Sequence, residues 1–162
     1  MSSRYLAPMV RDAHGSQRSF AGVLLVDRAG AILLQERDEH PLIDPEKWGL
    51  PGGHVEPGEE FAAAARRELA EETEVVLAPG ELAFWREFSV DHTHAHGSHD
   101  RMQVYVAATT LTDAQIACHE GRRIVFVPPD VALGLDLTAS AAQIVPAFLD
   151  SQVYRRLAGD RR

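Results

Sequence analysis

Glu68, Glu71 and Glu72 fall within about one turn of a segment, Glu59 to Thr73, that is rich in Ala, Glu, Leu and Arg and free of Gly and Pro. That composition predicts a helix. At ~100° per residue the three carboxylates share a side with Ala64, while Phe61, Ala62, Ala65 and Leu69 gather on the adjoining side, which should pack. Like charges at i, i+3 and i, i+4 destabilise an isolated helix by roughly 0.2–0.5 kcal/mol per pair. A divalent cation would reverse that sign, because carboxylate oxygens are the natural ligands of Mg²⁺ and Mn²⁺ and a helix holds three of them rigidly. Small Ala64 would let a bulky ligand approach. The alternative is a solvated acidic face neutralised by Arg66 and Arg67.

The elements that must position this helix are legible on either side of it. SFAGVLLVD (19–27) and AILLQER (31–37) are apolar, partly β-branched runs separated by Arg28-Ala29-Gly30, which predicts an antiparallel hairpin with Gly in the turn. DEHPLIDPEK (38–47) reads as a surface loop leading into Trp48-Gly49-Leu50-Pro51-Gly52-Gly53, where backbone must bend sharply or approach a ligand closely. ELAFWREFSV (81–90), RMQVYVAATTL (101–111) and RRIVFVP (122–128) read as strands. Thr138 caps a terminal helix expected to break or restart at Pro146. Strands before the central helix and more strands before the last one indicate an α/β fold with a mixed sheet covered by helices.

The chain has 162 residues, 45% apolar and 25% charged, with a formal net charge of −8. One domain over residues 19–162, preceded by a polar N-terminal arm over 1–18, is the expected organisation. The acidic balance argues against a nucleic-acid surface. Cys118 is the single cysteine, so neither an intrachain disulfide nor a Cys-rich zinc module can form. With no signal-peptide core and no run of 18 apolar residues, the expectation is a cytoplasmic protein without a membrane partner. His92, His94, His96 and His99 crowd one loop. An extended segment would put the first three on one side, as transition-metal ligands, a substrate-side loop or plain surface.

The fixed positions flanking the carboxylates form a longer pattern: Gly53, five residues, Glu59, seven residues, Arg67-Glu68-Leu69, one residue, Glu71-Glu72, one residue, Glu74-Val75. It resembles the signature of the Nudix hydrolase family, departing from it at Glu74, where the family carries Gly. Gln35-Glu36-Arg37 and Trp48 to Gly53 are family-like in order and spacing as well. The resemblance implies an α/β/α sandwich and hydrolysis of a nucleoside diphosphate linked to another moiety, by attack of water on phosphorus with Mg²⁺ or Mn²⁺.

Position by position, the resemblance implies metal ligation by Glu68, Glu71, Glu72 and the Gly52 carbonyl, with Glu68 the first candidate for general base. Arg67 and Glu59 would hold the ligands in orientation, and Glu56 would assist metal binding or merely precede the helix. Arg37 would contact phosphate or form a rim salt bridge. Glu120, in a Glu-Gly turn before a late strand, would be a loop ligand, a base or neither. The compact length favours a nucleoside tri- or diphosphate as small-molecule partner. A nucleotide sugar or dinucleoside polyphosphate is the next choice, a non-catalytic nucleotide sensor is the reading from another class, and a homodimer is left open.

Overall fold

β1 (Ser19–Val26) alternates its side chains across a mixed sheet, and both faces are covered. The computed structural model describes residues 17–159. After β1 come β2 (Ile32–Glu36), β3 (Trp48–Gly49), β4 (Gly52–His54), α1 (Phe61–Thr73), β5 (Ala83–Asp91), α2 (Thr93–His96), β6 (His99–Ala108), a 3-10 turn (Asp113–Gln115), β7 (Arg123–Val127), α3 (Pro129–Ala132), α4 (Ala139–Leu149) and α5 (Gln152–Leu157). Ala21, Val23 and Leu25 pack with Leu33, Tyr105 and Ile124 beneath Ala64, Ala65 and Leu69 of α1. Leu24 and Val26 pack with Leu34, Val104 and Val127 beneath Ile144, Val145 and Phe148 of α4. Each such side chain contributes ~1.5–3 kcal/mol on burial, so period-two alternation in β1 is what fixes a layer on either side. The architecture is the expected α/β/α sandwich. No helix among the described residues is long and apolar enough to cross a membrane.

The β1–β2 turn forms as expected, with Asp27 Oδ1 accepting the N–H groups of Ala29 and Ala31, both at 2.9 Å, and Gly30 at φ +81°. Beyond it the two strands separate: only Val26 and Ile32 are in register. The reason is a wedge. β3 pairs with the far end of β2, β4 pairs with the start of β1 through Gly22–Gly52, Ala21–Gly53 and Phe20–His54, and Val23 N–H donates to the Pro51 carbonyl at 2.9 Å. β1 then finds its long partner in β6, which runs parallel to it, and β2 finds its own in β7. The Leu50-Pro51-Gly52-Gly53 stretch is thereby inserted into the sheet.

The N-terminal arm lies outside the described residues except for Gln17 and Arg18, whose N–H donates to Asp100 Oδ1 at 2.9 Å. Three further expectations change. Ala64 belongs to the apolar core and leaves no room for a ligand. The histidine loop is not extended: Asp91 Oδ1 takes both the N–H and the hydroxyl of Thr93, at 2.9 and 2.6 Å, and Gly97 at φ +80° closes the helical turn α2. α4 runs through Pro146, whose missing N–H removes one helical bond while its neighbours Val145 and Phe148 are buried in the core, and the break falls instead at Asp150, before Ser151 caps α5. Thr138 caps α4 as expected, accepting from Ala141 N–H at 3.2 Å.

Glu74 closes α1 in the left-handed region, at φ 63° and ψ 10°, with its N–H on the Ala70 carbonyl. A side chain there meets the steric cost that Gly avoids, and its ion pair with His119 Nε2, at 3.3 Å, is solvent-exposed and weak. Glu74→Gly should therefore stabilise the fold by about 1 kcal/mol, strain relief outweighing the added freedom of the unfolded chain. Urea denaturation of the two proteins checks this, and a destabilised variant would reject the strain account.

Candidate active site

The wedge brings two glycines against two carboxylates. Gly53 lies so close to Glu68 that a Cβ there would stand 2.6 Å from Glu68 Cδ. Gly52, at φ +145°, has no room for a Cβ against the Ala21 carbonyl, and its N–H donates to Glu72 Oε2 at 3.1 Å. The contact the structure gives Gly52 is thus through its N–H. Glu72 is only 3% exposed, and its Oε1 is buried with no hydrogen-bond partner among the described residues. Burial first, and then the neighbouring Glu120 carboxyl, push the Glu72 carboxyl up to about 10.

Glu120 reaches this place because its turn is pinned from two sides. Buried Gln35 donates to the Glu120 carbonyl at 2.8 Å, while the N–H groups of Ala117 and His119 donate to the Thr73 and Glu72 carbonyls at the end of α1. A carboxylate oxygen buried without a donor, beside a second carboxylate, is the arrangement a cation satisfies. The residues fit a divalent metal on that ground. Glu68 adds to it, since burial raises its carboxyl above the ordinary range against the opposing pull of Arg67.

Arg67 organises the other half of the acidic face. Its Nε and Nη2 form a fork on Glu59 at 2.8 and 2.9 Å, Nη1 donates to Glu68 at 2.9 Å and Glu71 at 3.5 Å, and Nη2 also reaches the His54 carbonyl at 3.1 Å. Glu59 is held below its usual carboxylate range by that fork. Glu56 stands 3.9 Å from the same guanidinium and is exposed. Arg67 therefore locks Glu59, Glu68 and Glu71 relative to the Gly53–His54 backbone and leaves Glu72 and Glu120 outside its reach.

Beside the glycines a cleft of about 540 Å³ opens, lined by Gly52, Gly53 and Glu120 together with Phe20, Leu50, His92 and Met102. Arg37 lines it too, donating to the Ile43 carbonyl at 3.0 Å with its Nε buried and unpartnered among the described residues. Gln35, Asp44 and His92 line the cleft as well. The sequence offers the Gln35-Glu36-Arg37 stretch for the first and the histidine run for the last, and no signal for Asp44. Three ligand atoms lying within 4.8 Å of one another occur elsewhere, on the consecutive loop residues Asp38, Glu39 and His40. Glu39 and His40 there are exposed, and Glu39 is already paired with Arg122 at 3.2 Å.

With metal chelated, Glu72→Gln should raise the melting temperature at pH 8. A carboxyl whose folded value lies near 10 against an ordinary 4.5 contributes its full stability only below pH 4.5 and loses it as pH rises towards 10. The amide mimics the neutral form, so the gain should shrink towards zero as pH falls to 4.5. A variant no more stable than the parent at pH 8 would show that the carboxylate is not strained there.

The NUDIX domain model matches residues 16–148. An RNA pyrophosphohydrolase of Bradyrhizobium diazoefficiens is 39% identical over 83 residues, covering 48% of this chain and 49% of that one. The nucleoside triphosphatase NudI of Escherichia coli is 34% identical over 88 residues, covering 54% and 62%. The chain thus spans about half the length of the first of these relatives. Among solved structures, the NUDIX domain of Shewanella oneidensis NrtR complexed with ADP ribose superposes with a TM-score of 0.69 over 91% of this chain and 94% of that one, at 22% identity, which speaks for the fold. With the glycine wedge, the carboxylate helix and a family match over most of its length, this chain belongs to the Nudix family.

Proposed function

We propose that this chain is a pyrophosphohydrolase, dependent on Mg²⁺ or Mn²⁺, that cleaves a phosphoric anhydride bond of a nucleoside di- or triphosphate. The observation that carries this reading is Glu72: a buried carboxylate seated on the Gly52 N–H, one oxygen without a donor, next to Glu120. Glu68, Glu71 and Glu72, with the Gly52 carbonyl, would hold the metal, and Glu120 would join them from its turn. When bound, such an ion neutralises phosphate charge and acidifies a coordinated water.

The chain's own groups supply the remaining steps. Glu68, whose proton affinity is raised by burial, takes a proton from the attacking water, and Arg67 holds its carboxylate in place. Arg37, with an unpartnered buried Nε at the cleft, turns to the phosphates. Glu59 and Glu56 act through Arg67 rather than on substrate. Residues 19–162 act as one domain, and the net charge of −8 favours a free nucleotide over a nucleic acid in a cytoplasmic setting.

The test is hydrolysis of a panel of nucleoside tri- and diphosphates, a nucleotide sugar, a dinucleoside polyphosphate and a triphosphorylated RNA, with phosphate products resolved. Chelation should abolish turnover and added Mg²⁺ or Mn²⁺ should restore it. Glu72→Gln should lower kcat by at least about two orders of magnitude, the ~3 kcal/mol expected for losing a direct charge contact to the reacting groups. Undiminished activity in chelator would sink the mechanism. Tight nucleotide binding without any turnover would favour a sensor module instead.

A further inference from the structure

Gln35 is a polar side chain in an apolar column. In β2, Leu33 packs beneath α1 while Ile32 and Leu34 pack beneath α4, so alternation turns Gln35 to the α1 layer, opposite Ile124 of β7 in the same cluster. Gln35 is only 4% exposed, and an amide so placed costs free energy unless its groups are bonded, a cost an apolar residue would not carry. Its Nε2 donates to the Glu120 carbonyl at 2.8 Å.

The turn is shaped to receive that bond. Gly121, at φ +79°, lies so close to β2 that a Cβ there would stand 2.5 Å from the Glu36 carbonyl oxygen and 3.3 Å from Gln35 Nε2. The Arg122 N–H then donates to the same Glu36 carbonyl at 2.8 Å, just before β7 begins. On its other side the turn is held by main-chain bonds, from the Ala117 N–H to Thr73 and from the His119 N–H to Glu72. The Cys118 thiol reaches the Glu120 carbonyl too, at 3.3 Å, but it is exposed and a weak donor. Gln35 thus ties residue 120 to the sheet from the buried side, and residue 120 brings its carboxyl beside that of Glu72, in the cleft that Gln35 and Gly121 also line. Mg²⁺ takes its oxygens at about 2.0–2.1 Å in near-octahedral geometry, so a turn free to slide would carry Glu120 out of reach of an ion held by Glu72.

We propose that Gln35 is a positioning residue: by holding the Glu120 carbonyl it fixes the Glu120 carboxyl beside Glu72 and so sets the affinity of the pair for a divalent cation. The inference rests on the proposed metal-dependent reaction. On the full chain, Gln35→Met keeps the length of the side chain and removes its donor. Mn²⁺ binding, followed by electron paramagnetic resonance at the sites that Glu72→Gln abolishes, should weaken about tenfold, the loss expected when a group that orients a ligand is removed. In a Glu120→Ala background the same substitution should change Mn²⁺ affinity by less than about twofold, because no carboxylate is left to position.

A Gln35→Met variant that melts with the parent and binds Mn²⁺ as tightly overturns the proposal, as does a loss of equal size in the Glu120→Ala background, which is what a merely structural role would give. If the variant does not fold, the side-chain amide protons of Gln35 in the parent decide. A bond that raises cation affinity about tenfold is itself strengthened about tenfold by the cation. Mg²⁺ should therefore slow exchange of these protons with water by about that factor, and exchange unchanged by Mg²⁺ overturns the proposal. A parent that takes up no Mn²⁺ at Glu72 rejects the metal-dependent reaction and this inference together, whereas Mn²⁺ bound equally by parent and variant rejects the inference alone.

Discussion

Glu72 cannot be buried as it is without Gly52, and Gly52 cannot stand where it does without the opening of the β1–β2 pair. The Glu72 carboxylate needs a backbone donor in a place where side chains exclude water, and the donor has to come from a strand that approaches too closely for any Cβ. β4 satisfies this by inserting between β1 and β2 with two consecutive glycines. The insertion fills the edge that β1 and β2 would otherwise share, while on their other edges β1 pairs with β6 in parallel and β2 with β7 along their whole lengths.

The acidic face is divided electrostatically. Arg67 answers the charge of Glu59, Glu68 and Glu71 through one guanidinium, converting what would be helix-destabilising repulsion into a fixed frame. Among the described residues no arginine pairs with Glu72, and burial drives it towards its neutral form. Of the two alternatives weighed for the helix, neutralisation by arginine describes Glu59, Glu68 and Glu71 through Arg67 alone, and the proposed metal site is argued from Glu72.

Legibility followed the range of the forces involved. The carboxylate helix and its pattern were readable because period and spacing are local, and the left-handed conformation of Glu74 followed from its place just past the helix. The sheet covered by helices was readable from the order of strands and helices along the chain. The splitting of the hairpin was not, because the turn at Asp27 to Gly30 is locally correct and the competing partner enters from residues 48–54. Similarly, alternation of His92, His94 and His96 assumed an extended chain. Asp91 capping Thr93 outweighed it, and the partner that matters for His92 is Asp100, across the β5–β6 connection. Pro146 in mid-helix survived for the same reason: tertiary burial on both sides exceeded a local cost.

The account stands on the orphaned oxygen of Glu72 being one wall of a cation site. A crystal of the protein soaked in Mn²⁺ and measured at the manganese absorption edge tests this directly. An anomalous peak within coordination distance of Glu72 Oε1 and a carboxylate oxygen of Glu68, Glu71 or Glu120 is the predicted result. Manganese found at Asp38, Glu39 and His40, with Glu72 Oε1 still uncoordinated, would contradict it.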